Sequence, residues 1–579
     1  MKFIEVATYF QQIERESSRL KMIHLLGELF KKTSAEEISI VANLALGQLH
    51  APYLGRQFNM AEKSLIKVIA EFLKDSEHTI SQELKLVGDL GLIIGAGTWQ
   101  PNKEMTVQEV YGALDSLQHI SGTGSQEEKN SRLLSILTDL DPLSAKYVVR
   151  IIIGKLRLGF FDMTIIDALS WMEVGNKSLR DSIENAYNLC VDIGYIAGLL
   201  KSKGIEALEH MKIHIGIPIR PAAAERLPTA KAIMEKLGPS VAQPKLDGFR
   251  LQIHVKKNDN KSEIHFFSRN LLDMSYMFPD VAKALEALDV QDIICEGEAI
   301  VYDIHTNTFL PFQETVKRKR KHGIEQAVEE FPLRVFIFDL LYLNGKDLLN
   351  ETHQERRQKL LSLFKKFPND SIQVIDEKKV NTTQELEDYF TENIASGLEG
   401  LVVKRSNAIY QPGKRNFNWI KLKRQEEGHL EDTIDCVILG YYAGEGKRAS
   451  FGIGAFLVGL YNPAQDRFET IAKIGTGLTD EQWIELKKKS DAIAVKEKPK
   501  NVIVAKELYP DIWVDPSIVC IIRADEITVS PLHAAGKTEH KLGYALRFPR
   551  FMGYRNDKSA EAATTVNEIE HMFKDQFKR

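Results

Sequence analysis

The sequence predicts a multidomain protein: an all-α front part, a mixed α+β centre, and a small β-barrel closed by one helix. Three observations carry that reading. The chain has 579 residues, too many for one core, and domains of roughly 100–200 residues suggest three or four. Before residue 218 prolines are scarce, with Pro52, Pro101 and Pro142 alone. Short apolar strands divided by glycine turns fill the last part.

In the front part Phe3, Val6, Phe10 and Ile13 recur at helical spacing. Ser34-x-x-Glu37 and Thr106-x-x-Glu109 are capping boxes, and Asp141-Pro142 offers a cap followed by proline in the first turn. Two segments stand apart. Ser121 to Gln126 is a glycine-rich loop that either holds a phosphate or only links helices. Lys155-Leu156-Arg157-Leu158-Gly159 ends an apolar helix, where basic residues either meet a polyanion or complement the helix dipole.

Gly216-Ile217-Pro218-Ile219-Arg220-Pro221 is an extended strap and marks a boundary. Beyond it, Leu251 to Val255 and Glu263 to Phe267 read as a hairpin around residues 256–262. Glu355 to Lys366 and Thr383 to Ile394 read as helices. After Glu431-Asp432 come strands at Ile434 to Tyr442, Ala455 to Tyr461, Phe468 to Ile474 and Ile518 to Val529. The capping box Thr565-x-x-Glu568 opens a closing helix with Ile569, Met572 and Phe573 on one side. The expected parts are therefore residues 1–217, 218–430 and 431–579.

Hydrophobic content of 44% and charged content of 27% are those of an ordinary globular protein. No apolar run reaches the roughly 20 residues that span a bilayer, and Met1-Lys2-Phe3-Ile4-Glu5 has no signal-peptide core. A cytoplasmic protein with no membrane partner is expected. Cys190, Cys295, Cys436 and Cys520 are scattered without a Cys-x-x-Cys pair, which argues for reduced core thiols and against structural zinc. A net charge of −4 opposes non-specific coating of nucleic acid. The clusters Lys317 to Lys321 and Lys421-x-Lys423-Arg424 read as solvated basic faces or as parts of a nucleic-acid path.

The densest chemical signal is Gln243-Pro244-Lys245-Leu246-Asp247-Gly248-Phe249-Arg250. Strand alternation puts Lys245 and Asp247 on one face, and Gly248 permits a turn or a close approach. A lysine so placed can be a covalent nucleophile once its amine is neutral. Downstream, Phe267-Ser268-Arg269-Asn270 supplies a fork for phosphate or ribose oxygens. Glu296-Gly297-Glu298 puts two acids on one face of the apolar strand Ile293 to Val301. Phe338, beside Asp339, is either core or a base-stacking ring. Glu399-Gly400-Leu401-Val402-Val403-Lys404 joins an acid to an apolar strand ending in lysine. In Trp419-Ile420-Lys421-Leu422-Lys423 both lysines face one cleft, and two adjacent ammonium groups call for an anion such as a triphosphate.

In this order the segments resemble the covalent nucleotidyltransferases, the superfamily of DNA ligases, RNA ligases and capping enzymes. More narrowly, the chain resembles the ATP-dependent DNA ligases of the archaeal and eukaryotic replicative type. Supporting text is Ile217 to Pro221, Pro311-Phe312-Gln313-Glu314, Asp339 to Gly345, Lys473-Ile474-Gly475-Thr476-Gly477, and Leu546 to Phe551 followed by Arg555-Asn556-Asp557-Lys558. The match extends into the helical part, through Ser121 to Gln126 and Leu156 to Gly159.

The resemblance implies a helical DNA-binding domain, an adenylation (nucleotidyltransferase) domain and an OB-fold domain, a monomer encircling nicked double-stranded DNA. It implies nick sealing with ATP as cosubstrate and Mg2+, in replication, repair and recombination, by a nucleoid-associated enzyme. Lys245 would be adenylylated and would pass AMP to a 5′-phosphate. Glu298 matches the ribose contact and Phe338 the adenine-stacking ring. Arg250, Arg269 and Arg415 match nucleotide contacts, Lys421 and Lys423 the phosphate contacts, and Glu399, with Glu298, the metal-associated acids. Arg550, Asp557 and Lys558 match the residues that orient pyrophosphate.

The chain departs from the pattern in three places. Gln243 stands where glutamate is usual, which bears on nucleotide preference. Pro221-Ala222-Ala223-Ala224-Glu225 lacks the larger apolar residue after the proline, and Thr98-Trp99-Gln100-Pro101 lacks sliding-clamp text, so that partner is not carried over. Gly536-Lys537-Thr538 fails as a phosphate-binding loop, because Pro531 occupies the first glycine position. The competing readings are an RNA ligase or capping guanylyltransferase, which the long helical front opposes, and a NAD-dependent ligase, which the missing four-cysteine module opposes. A non-catalytic DNA clamp is a third, and the paired acids oppose it.

Overall fold

Local signals place the helices. Ser34 and Thr106 each close a capping box with Glu37 and Glu109, and Asp141 accepts from the Leu143 and Ser144 amides at 2.9 and 3.0 Å. Phe3, Val6, Phe10 and Ile13 form the buried stripe of the helix Phe3–Glu14. In the computed structural model, residues 1–258, 261–303, 308–310, 314–315, 317–318, 320, 323–423 and 433–575 are described. They form two compact units, one comprising 1–60, 101–144 and 150–424, the other 61–100, 145–149 and 425–579.

The first unit joins helices of the front part to two sheets. One has the order β4-β3-β5-β7-β8, from Lys261–Ser268 (β4), Phe249–Asn258 (β3), Asp292–Asp303 (β5), Leu333–Leu343 (β7) and Lys346–Asp347 (β8). Thr308–Phe309 (β6) adds to β5, and Ile372–Val374 (β9) to β7. The hairpin strands β3 and β4 run beyond the expected bounds; residues 259 and 260 of their turn lie outside the described residues.

The other sheet has the order β1-β12-β11-β2-β10, from Ala223–Arg226 (β1), Arg415–Lys423 (β12), Gly400–Lys404 (β11), Ser240–Lys245 (β2) and Lys378–Val380 (β10). Ala242, Leu401, Val403, Ile420 and Leu422 pack on the helices Ala230–Leu237 and Thr383–Ala395. Ile294, Leu341, Tyr410 and Trp419 belong to one apolar cluster, so the two sheets face one another across it.

Antiparallel register fixes the rungs of the second sheet. Lys423, Gly400 and Lys245 lie opposite one another; Lys421, Val402 and Gln243 form the next rung; Trp419, Lys404 and Val241 the third. Side chains on alternate residues share a face, so Gln243 and Lys245 emerge together roughly 7 Å apart along the strand. β2 ends at Lys245. Asp247 therefore lies past the strand and not on its face as expected.

The second unit is dominated by strands. Its large sheet runs β16-β18-β13-β14-β15-β17: Ala494–Val495 (β16), Ile512–Val514 (β18), Ile434–Tyr442 (β13), Ala455–Asn462 (β14), Arg467–Ile474 (β15) and Val502–Ile503 (β17). The expected strand Ile518 to Val529 is instead two. Val519–Arg523 (β19) pairs with β13 and with Arg550–Tyr554 (β22), while Glu526–Ser530 (β20) turns away at Ala524-Asp525 to pair with Gly543–Arg547 (β21). The charged residues Arg523, Asp525 and Glu526 interrupt the apolar text at this corner. Ile434, Ile471, Ile522, Ile527 and Tyr544 share one core, so both sheets curl around it. The helix Val566–Asp575 begins at the Thr565–Glu568 box and buries Ile569 there.

A buried ion pair braces the first unit. Arg356, on the helix His353–Lys365, donates to Asp339 of β7 at 2.7 and 3.0 Å, and each side chain is 1% exposed. Removing one partner of such a pair strands a buried charge. Asp339→Asn is expected to destabilise the unit by about 3–5 kcal/mol in denaturant titration. A loss below about 1 kcal/mol would show that the pair is not a brace.

Candidate functional site

The face carrying those rungs opens on a cavity of about 560 Å³, bounded also by β3, β5 and β7. Of the residues expected to act together, it brings in Gln243, Lys245, Arg250, Arg269, Glu298, Phe338, Glu399, Lys421 and Lys423. Asp247 lines it too, as does the Ser268-Arg269-Asn270 turn after β4. Arg415 is not among the lining residues; it starts β12 and is exposed.

Close backbone approaches at two glycines shape this wall. A Cβ on Gly400, whose φ is +142°, would run into the Leu422 carbonyl, and one on Gly248 would strike the Ala299 carbonyl. Glycine is the residue that admits such approaches. The Gly248 amide donates to Glu298 at 3.2 Å, and the Glu399 amide donates to the Lys245 carbonyl at 3.2 Å.

The centre is a carboxylate between two ammonium groups. One Glu399 oxygen takes the Lys245 amine in a short ion pair, and the other takes Lys423 at 3.1 Å. Burial alone would raise the Glu399 carboxyl, but the Lys245 and Lys423 charges outweigh it and hold the group below the ordinary range. Lys421 has its amine lowered, first by burial and then by Lys423, Arg415, Arg269 and Lys245. Four cations thus act on Lys421, and two of them, Lys245 and Lys423, share Glu399.

Arg250 plays a second part. Its guanidinium donates to both Glu296 oxygens at 3.1 and 2.9 Å and to the Ala222 carbonyl at 2.8 Å. Tyr410 donates to Glu296 at 2.9 Å. Glu296 is therefore a buried anchor for Arg250, and Glu298 is the acid left to the cavity. Phe338 is half-buried and meets Trp419 edge-on at 6.2 Å, which leaves a ring facing the cavity.

Two participants escaped the sequence reading of the site. Lys404 is 1% exposed, with its amine 4.2 Å from the Trp419 ring centre and 5.0 Å from that of Phe338, and burial pulls it down to about 8. Its place at a strand end was visible; its burial was not. Glu377 accepts from the Gln243 amide at 2.7 Å, and no motif marks it.

The basic cluster 317–321 divides. Arg318 is buried and bonded to Asp280, Phe331 and Met277, a structural role and not a solvated face. Lys319, Lys321, Pro311 to Gln313 and Arg424 lie outside the described residues. In the second unit Lys558 and Arg555 both reach Asp435, at 2.6 and 3.1 Å, Arg555 also grips Asp557, and Arg550 pairs with Asp525 at 3.3 Å.

Among the described residues no group of three or more His, Cys, Asp or Glu is placed to hold a metal ion, so there is no dedicated cage. Magnesium characteristically takes one or two carboxylates and completes its shell with water and substrate phosphates. Glu399 and Glu298, both lining the cavity, fit that requirement.

Three family models match the chain: DNA ligase N terminus over residues 2–170, ATP dependent DNA ligase domain over 221–423, and ATP dependent DNA ligase C terminal region over 449–558. The chain is 45% identical to the probable DNA ligase of Dictyoglomus thermophilum, over 100% of this chain and 98% of the relative. It is 38% identical to the DNA ligases of Sulfurisphaera tokodaii and Saccharolobus solfataricus, over 99% and 100% of this chain and 98% of each relative. The solved structure named Pmar-Lig_PreS3 has the same fold, with a TM-score of 0.56 at 16% identity over 95% of this chain and 99% of that one. Among the described residues no helix is long and apolar enough to cross a membrane.

Glu298 has an electrostatic consequence of its own. Burial raises its carboxyl from 4.5 to about 7, against the opposing pull of Lys245 and Arg250. The folded protein therefore keeps a proton that the unfolded chain has lost, and stability falls as pH rises between those two values. Glu298→Gln should stabilise the metal-free protein at pH 8, on the order of 2 kcal/mol, with little effect at pH 5. Equal shifts at the two pH values in denaturant titration would rule this out.

Proposed function

The chain belongs to the ATP-dependent DNA ligases, and from that premise we propose that it seals nicks in duplex DNA through a lysyl-AMP intermediate on Lys245. The observation that carries the reading is the Lys245–Glu399–Lys423 group in one cavity with Lys421 and Phe338. In the first step the neutral Lys245 amine attacks the α-phosphorus of ATP. The N–P bond forms, pyrophosphate leaves with the bonding pair, and the amine sheds its proton. Lys421 and Lys423 neutralise charge growing on the phosphoryl oxygens, a matter of positioning and electrostatics. A magnesium ion held by Glu399 and Glu298 would add further charge neutralisation.

Phe338 takes the adenine, Glu298 the ribose, and Arg250 and Arg269 hold the nucleotide, with Arg415 at the rim. A 5′-phosphate oxygen then displaces Lys245 from the α-phosphorus. Finally the 3′-hydroxyl attacks the 5′-phosphorus and AMP departs. The parts assigned are residues 1–217 for DNA binding, 218–430 for adenylylation and 431–579 as an OB-fold domain, in a monomer that surrounds the nick. Such an enzyme serves DNA replication, repair and recombination.

The test mixes protein, magnesium and ATP labelled on the α-phosphate, with and without nicked duplex. Wild type should give a labelled protein band that disappears as DNA is sealed. Lys245→Ala should give no band, and Lys421→Ala should label at least about a hundredfold more slowly. A wild-type band at full rate in Lys421→Ala would remove that residue from the step. Failure of wild type to label after stripping with pyrophosphate would remove the reading altogether.

A further inference from the structure

Among the polar side chains on the three described rungs, Gln243 is the uncharged one, and it lines the cavity although it is only 2% exposed. Its amide has a donor end and an acceptor end, and their order decides what a ligand meets. The Nε2 end donates to Glu377 Oε2 at 2.7 Å. The same oxygen takes the His353 ring Nε2 at 2.7 Å, and Arg357 stands 3.9 Å from the other oxygen.

An ionised carboxylate only accepts hydrogen bonds. A flipped Gln243 would put two acceptors face to face at that distance, so the amide can sit only with its NH2 group towards Glu377. Burial opposes ionisation of Glu377, yet the hydrogen bond from His353 and the His353 and Arg357 charges prevail and hold its carboxyl below the ordinary range. Gln243 Oε1 takes no hydrogen bond among the described residues. It is the free end of an amide whose other end is fixed.

We propose that Glu377, held by His353, locks the Gln243 amide so that its carbonyl reads the exocyclic amine of the nucleotide base, which makes Glu377 a positioning residue for base selectivity. The proposal rests on the reading that the cavity takes a nucleotide. A 6-aminopurine offers the carbonyl a hydrogen; a 6-oxopurine offers a second acceptor, and the unpaired groups are costly once buried. A freely rotating amide would serve both bases.

The experiment measures calorimetric affinities of ATP and of ITP, its 6-oxo counterpart, for wild type, Glu377→Gln and Gln243→Met. Wild type should favour ATP by about tenfold or more, and both variants should bring the two affinities within about threefold. A merely structural role would weaken both nucleotides alike and leave their ratio unmoved, which overturns the proposal. Should Glu377→Gln not fold, Gln243→Met decides: an ATP:ITP ratio equal to wild type overturns it. Because selectivity is read without turnover, failure to self-label bears on ligation alone.

Discussion

The Glu399 carboxylate is the constraint on which the cavity depends. It holds the Lys245 and Lys423 amines within reach of one another, an arrangement that two ammonium groups would otherwise resist. The attraction also explains the backbone around it. Glu399 precedes the strand that lies between those of its two partners, so one acid at the edge of β11 commands both neighbours. With Gly400 admitting the Leu422 carbonyl, the three strands come together at the rung where charge is densest.

Two further buried ion pairs lie in the same unit. Arg250 is held by Glu296, which also accepts from Tyr410, and Arg356 is held by Asp339 of β7. Each satisfies a buried charge that would otherwise compete for the cavity's own groups. Glu298, released from pairing with Arg250, is left half-buried with a proton that it holds to about 7. Two acids two positions apart on the same strand thus differ in character, because only one of them has a guanidinium bonded to it.

How much of this was legible depended on range. Ser34, Thr106, Asp141 and Thr565 announced helix starts because capping is settled within four residues. Period-two alternation located Lys421 and Lys423 on one strand face for the same local reason. What sequence did not carry was register. Nothing in the text says that Gly400 lies opposite both Lys245 and Lys423, or that Lys404 becomes almost wholly buried beneath Trp419. Alternation extends to Asp247 a strand that ends at Lys245, and one continuous strand over residues 518–529 passes over the break that Arg523, Asp525 and Glu526 mark in its apolar text. Glu377 had no local mark at all, since its meaning lies in Gln243, more than a hundred positions away.

The crowding of cations around Lys421 carries an energetic cost. Lys421 is lowered by four neighbouring positive groups as well as by burial, which means the folded protein holds that proton against repulsion. An anion placed among them would relieve this repulsion and raise the Lys421 amine back towards its ordinary range. Glu399 cannot supply that relief itself, being already divided between Lys245 and Lys423. The same division couples the three groups, because drawing Lys245 away from Glu399 leaves one carboxylate oxygen without its ammonium partner and Lys423 alone to offset the charge.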